Sequence, residues 1–200
     1  METNQCLLVL EISSISAGYQ ALKILTDLED VQVIEASPAG ARHFFILAGG
    51  ARKVLDQAVR SIQARFPISS DLHGPNATSP ISDLELLESA DQQLLDSLYT
   101  LSNEKLGGAL VVVECETLSG LFTVAQSLIA IEKLRPLEIK IHRSGGGGGY
   151  GFFTGVSDAC SAGSERIRNL LAKKERLGRV EFIDRPSEKF RRYFNLSGEV

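Results

Sequence analysis

The sequence predicts an α/β fold of the α+β sandwich kind written twice: two tandem domains, each a four-stranded antiparallel sheet flanked by helices. The aliphatic segment 7–11 is echoed by 110–114, each closed by a glutamate, with about 103 residues between them. The segments 31–35 and 43–47, separated by small residues, are echoed by 137–141 and 151–156, separated by five glycines. The Phe44-Phe45 pair and the Phe152-Phe153 pair stand 108 residues apart. Helical periodicities recur between these segments in the same order, and an echo in fixed order marks an internal repeat.

The first element, 6–12, reads as a strand buried on at least one face. Ser13, Ser14 and Ser16 offer N-caps to a helix in which Tyr19, Leu22, Leu25 and Leu28 recur every third position, widened by Ala21 and Ile24 and closed by Glu29 and Asp30. A hairpin of 31–35 and 42–47 follows. Gly49-Gly50 then lead into a helix with Val54, Leu55, Ala58, Val59 and Ile62 on one face and Arg60 and Arg65 on the other. Residues 67–82 gather Pro67, Gly74, Pro75 and Pro80 and predict an exposed loop. A short strand at 84–87 and a short helix at 91–101 complete a first domain, 1–101, and 102–108 is the linker.

The second domain, 109–200, restarts the pattern with the strand 109–114. Thr117 or Ser119 caps a helix carrying Leu121, Val124, Ala125, Leu128 and Ile131, which Pro136 terminates. Residues 137–141 alternate strictly, as a strand with one wet face does. After the glycines and the strand 151–156, Ser157-Asp158 opens a helix with Ile167, Leu170 and Leu171 on its apolar side, ended by Gly178. A strand at 180–183 and a helix at 186–194 close the chain.

A net charge of −4 over 200 residues gives no electrostatic footprint for a nucleic-acid backbone. The first residues lack a basic region, and the apolar run ends at Glu11, too soon for a signal peptide or a membrane span. The expectation is a cytoplasmic protein with no membrane and no nucleic-acid partner. Cys6, Cys115 and Cys160 are odd in number and far apart, so they read as buried thiols rather than a disulfide framework. His43, His73 and His142 fall in no ligand or nucleophile spacing. No enzyme activity, metal or cofactor is expected. Phe190, Tyr193 and Phe194 share one helical face while Arg191 and Arg192 lie elsewhere, a pattern of core packing with solvated arginines.

The second unit resembles the bacterial microcompartment (BMC) shell domain. The residues that carry this are Glu114 closing the first strand, Gly120-Leu121 opening the helix, Lys133 at the helix end, the turn Ser144-Gly145-Gly146, and Asp184-Arg185-Pro186 after the last strand. Two copies in native, non-permuted order resemble the tandem-domain shell proteins, in which three chains make a pseudohexameric tile. The resemblance implies a structural shell subunit in the cytoplasm that partners itself as a homotrimer and joins other shell proteins. It assigns tile-edge contacts to Lys133, Arg185 and Pro186. It also implies a central pore lined by Ser37, Pro38, Ala39, Gly40 and Ala41 from one turn and by Ser144, Gly145, Gly146, Gly147, Gly148 and Gly149 from the other. The first copy departs from the pattern: Asp27 or a neighbour stands where the lysine belongs, and Ser79-Pro80 replaces an Arg-Pro turn. Alternate tile edges are therefore expected to differ chemically. Neither turn holds a cysteine, so no iron–sulfur cluster is expected in the pore.

A phosphate cradle needs its glycines between a strand and a helix N-terminus, and here a strand follows. Two readings of the glycine run stay open: a hairpin tip without function, and a loop on a symmetry axis where bare backbone lets several copies meet. With Arg42, Arg143 and His142 as the nearest charges, the rim is expected to be neutral to mildly positive, and 145–149 more mobile than the turn stiffened by Pro38. The alternative function is a ligand-binding regulatory module of two fused ferredoxin-like domains.

Overall fold

The computed structural model describes residues 6–40, 42–66, 79–88, 90, 92–98, 104–142, 147–173 and 178–196. The chain forms two compact units, Met1–Ala90 with His142–Gly147, and Asp91–Ile141 with Gly148–Val200. The first sheet holds β1 (Cys6–Ile12), β2 (Gln32–Ala39), β3 (His43–Gly50) and β4 (Ile81–Leu87) in the order β2-β3-β1-β4. The second holds β5 (Ala109–Cys115), β6 (Arg135–Ile141), β7 (Gly149–Gly155) and β8 (Gly178–Ile183) in the order β6-β7-β5-β8. All neighbours are antiparallel, and the two orders are the same order repeated.

The repetition reaches single residues. Cys6 pairs with Gly50 as Ala109 pairs with Gly155, so Glu11 corresponds to Glu114. Each edge strand carries a bulge at the same place, between Val33 and Glu35 in β2 and between Pro136 and Glu138 in β6. A bulge adds twist and re-aims the strand beyond it. The same register corrects the sequence alignment of the aromatic pairs: Phe44 and Phe45 correspond to Gly149 and Tyr150, and Phe152 and Phe153 to Leu47 and Ala48. Aromatic repetition misled because both pairs satisfy the same strand propensity at different registers.

The helices α1 (Ile15–Thr26) and α2 (Arg52–Arg65) pack on the first sheet, and α4 (Leu118–Ala130) and α5 (Ser157–Lys173) on the second. Ser14 caps α1 by accepting from the Ala17 amide, and Thr117 caps α4 by accepting from Gly120. The buried stripe of α1 is Ala17, Gly18, Ala21 and Leu25 rather than the every-third series, and Tyr19 is 56% exposed. A stripe at 3.6 residues per turn drifts away from a strict spacing of three within two turns. Pro136 does not end α4: the helix stops at Ala130, and Pro136 sits in the edge strand β6, where its missing N–H is harmless. Pro38 is likewise in edge strand β2, which runs on through Ser37 and Ala39. Gly178 opens β8 instead of closing α5. Two short helices complete the order, α3 (Gln92–Leu98) after β4 and α6 (Glu188–Leu196) after β8, and α3 packs within the second unit along β6 and against α4.

The first core joins Leu8, Leu10, Ile12, Phe44 and Ile46 of the sheet to Leu25, Leu55 and Ile62 of the helices. Each such fully buried side chain contributes roughly 1.5–3 kcal/mol relative to exposure. Where the first turn of each leading helix meets the third strand, the two units solve one packing problem in opposite ways. In the first unit Gly18 faces Phe44, and a Cβ on Gly18 would stand 2.3 Å from that ring. In the second, Leu121 occupies the helix position and Gly149 the strand position, where a Cβ would meet the Lys140 carbonyl oxygen at 2.2 Å. Gly18→Leu is therefore expected to destabilise the protein by about 1–3 kcal/mol or more through overpacking. Gly18→Leu with Phe44→Gly should recover much of that loss, with a favourable coupling in a double-mutant cycle followed by chemical denaturation.

Candidate functional site

The strands divide each unit into two ends. Seven residues of strand separate these ends by roughly 20 Å. One end of each sheet carries the β2–β3 or β6–β7 turn; the other carries the end of the leading helix and the segment after the last strand.

At the turn end of the first unit, Ala39 pairs with His43, leaving Gly40 to Arg42 to reverse the chain. Gly40 has φ 71°, a left-handed conformation open to glycine at no steric cost. Ser37, Pro38 and Ala39 precede the turn within β2, and Ala39 is only 1% exposed. Ala41 lies outside the described residues. In the second unit Ile141 pairs with Gly149, so the reversal takes residues 142–148, of which Arg143, Ser144, Gly145 and Gly146 lie outside the described residues. Gly147 and Gly148 have φ of 113° and 74°. A Cβ on Gly148 would stand 2.3 Å from the Cys115 carbonyl oxygen, and Gly149 is a buried strand residue. The expected swing of the glycine run therefore does not extend to Gly148 and Gly149, which are glycines because backbone packs against them. Gly148 also lies against Glu116, whose side chain is exposed. Arg42 and His142 are exposed as well, and Glu116 adds a carboxylate at the turn end of its own unit. Its signal was positional: in an antiparallel sheet, the residue between the end of β5 and the cap Thr117 must sit at the same end as the β6–β7 turn.

At the opposite end, Lys133 is exposed between α4 and β6 with φ 57°, and Arg185 is exposed after β8 with φ 42°. They are the non-glycine residues with positive φ among those described. Backbone in this region costs of order 1–2 kcal/mol for a residue with a Cβ. Pro186 is buried, and its carbonyl accepts from Arg191 Nε at 3.0 Å. The register of strands and caps puts Asp30, rather than Asp27, at the position of Lys133; Asp27 pairs with Lys23 at 2.6 Å. Ser79-Pro80 lies before β4 and not after it, where Pro80 accepts from the Ser13 amide at 2.7 Å. The first-unit counterpart of Asp184 is Glu88. Each acid is tied to the start of the helix after the third strand: Glu88 to Arg52, and Asp184 to the Ser157 hydroxyl at 2.6 Å. The neighbouring Asp56, then Glu88, raise the Arg52 pKa above its ordinary value. Exposed ion pairs of this kind add little to stability.

A microcompartments protein from Desulfitobacterium hafniense DCB has a similar structure, with TM-score 0.78 and 18% identity over 95% of this chain and 99% of that one. So does the double-ringed trimeric shell protein of the RMM microcompartment, with TM-score 0.57 and 14% identity over 84% of this chain and 83% of that one. The chain has the fold of a microcompartment shell protein. No family model matches its sequence, and no curated protein does.

Within this shell-protein fold the remaining chemistry is sparse. Among the described residues no three His, Cys, Asp or Glu side chains gather as a metal site, and no helix is long and apolar enough to cross a membrane. His43 is half-buried at the start of β3, His142 is exposed, and His73 lies outside the described residues. A groove of about 620 Å³ runs between α4 and α5, with Ile131 and the ion pair Arg166–Glu132 (2.7 Å) on its walls. The three cysteines are buried thiols outside any disulfide. Burial pushes the Cys160 thiol up to about 11, partly offset by a hydrogen bond from the Gly155 backbone. Its neutral form is thus favoured by folding. Stability from this group is complete below the unfolded thiol range near 9 and falls as pH rises toward about 11. Cys160→Ala should flatten the alkaline limb of a stability–pH profile measured by urea denaturation, and native Cys160 should resist thiol reagents at neutral pH.

Proposed function

We propose that the protein is a structural subunit of a bacterial microcompartment shell, in which three chains close a pseudohexameric tile. What carries this reading is the repeated sheet, identical in order and in bulge position, in a fold similar to a microcompartments protein over nearly the full length of both chains. A ring of six like units built from chains that hold two each needs threefold symmetry. The turns after β2 and β6 are the candidate pore lining, with Ser37, Gly40 and Ala41 alternating with Ser144 to Gly147 around the axis. Backbone groups make most of that lining. Arg42, His142 and Glu116 would set an amphoteric rim for small polar metabolites.

The opposite ends of the sheets form the tile edge. Strained backbone concentrates where function demands it, and among the described non-glycine residues Lys133 and Arg185 carry it. The counterpart of Lys133 on the other unit is Asp30, so edges would alternate in charge around the tile. Other shell proteins are the partners of such an edge, and the cytoplasm is where such a shell assembles.

Light scattering of the purified protein, without added ligand, should give the mass of three chains; a monomer would sink the shell reading and favour a ligand-responsive module. Replacing Lys133 with Gly separates strain from function. The φ of 57° suits glycine, so Lys133→Gly should leave melting temperature unchanged or slightly raised and keep the trimer, yet abolish sheets or tubes seen by negative-stain microscopy. Gly147→Trp should lower stability by about 1 kcal/mol or more, because φ 113° disfavours any side chain.

A further inference from the structure

Equivalent residues of the two units are not equally covered. In the second unit, Phe122 on the outer side of α4 is 0% exposed and Ile129 is 4% exposed. Their counterparts on α1 are Tyr19, 56% exposed, and Thr26, also exposed. The edge strands show the same asymmetry: Pro136, Leu137 and Ile139 of β6 are buried, whereas Val33, Ile34 and Ala36 of β2 are half-buried. What covers α4 and β6 is α3, the helix that follows β4, with Leu94 fully buried.

The helix that follows β8, α6, is the repeat's second version of α3. Among the described residues it lies along no edge strand as α3 lies along β6. Its start is fixed, with the Phe190 amide donating to Ser187 Oγ at 3.2 Å and Arg191 Nε to the Pro186 carbonyl at 3.0 Å. Phe190 stands where α3 has Leu94 and is 37% exposed.

The charges have changed sign on both partners together. The helix α3 carries Asp96 and no base, and the loop and strand beside it carry Lys133, Arg135 and Lys140 against Glu132 and Glu138, a net positive charge. The helix α6 carries Lys189, Arg191 and Arg192 against Glu188, a net positive charge, and the corresponding stretch after α1 carries Asp27, Glu29, Asp30 and Glu35. An acidic helix on a basic edge in one place, and a basic helix with an acidic edge left open in the other, is the pattern of one interface repeated with inverted polarity.

Resting on the three-copy assembly proposed above, we infer that α6 of one copy docks on the α1–β2 edge of the next, repeating between chains what α3 does within the second unit. The contact is heterologous, because donor helix and recipient edge are different surfaces, and a heterologous contact builds a closed ring when its rotation closes. Tyr19, Val33 and Phe190 form its apolar centre, with the acids after α1 facing the bases of α6.

Two variants damage one side each: Tyr19→Asp on the recipient, which also removes a ring contact with buried Phe44 (centroids 5.0 Å apart), and Phe190→Asp on the donor. Sedimentation should show each alone as a folded monomer, or with at least about a tenfold rise in the concentration needed for trimer. Mixed in equal amounts, they share one intact junction and should give a two-copy species that grows no further. Val33→Asp in place of Tyr19→Asp checks the recipient edge independently, with circular dichroism confirming that each variant is folded. The inference is overturned if either variant alone still forms trimer at wild-type concentrations, or if the mixture gives no two-copy species. A wild-type protein that is itself monomeric would instead overturn the assembly on which it rests.

Discussion

Both units depend on a single steric constraint: between the first turn of the leading helix and the start of the third strand there is room for one large side chain. Phe44 fills it from the strand beside Gly18, and Leu121 fills it from the helix beside Gly149. Interiors are packed to crystal-like density, so this choice fixes how closely helix and sheet approach. Through the sheet register it also fixes where the following turn stands. Gly149 is the first residue of β7, and Gly148 is pressed on the Cys115 carbonyl, so the packing of the core reaches the edge of the candidate pore.

The shared core allows unlike surfaces. Strand order and bulges are the same in both units, yet helix-end Asp30 answers Lys133, and the Arg52–Glu88 ion pair answers the Ser157–Asp184 hydrogen bond. Exposed charges contribute little to folding, which leaves them free to diverge. In the proposed ring of six like units this divergence would break sixfold symmetry down to threefold and give each chain distinct donor and recipient sides.

Strain and burial separate the residues proposed for the tile edge. Lys133 and Arg185 keep unfavourable backbone at exposed positions, where a glycine would serve folding better. Pro186, by contrast, is buried and anchors the segment leading to α6 through its carbonyl.

The sequence by itself determined the duplication, the element order and the type of every strand and helix, because hydrophobic period and turn residues are local properties. It also placed Lys133 at a helix end and Arg185 after the last strand of the second unit. It misjudged the edges of elements at Pro38, Pro136 and Gly178, where a proline or glycine that reads as punctuation is admitted by an edge strand or by close backbone approach. Only the tertiary structure decided the register, and with it that Phe44 answers Gly149 rather than Phe152. It alone brought Glu116 beside the glycine turn and showed that Tyr19 is open where Phe122 is covered. The reason is physical: a strand's pattern says which residues share a face, but pairing partners and coverage depend on segments a hundred residues away, which no local period records.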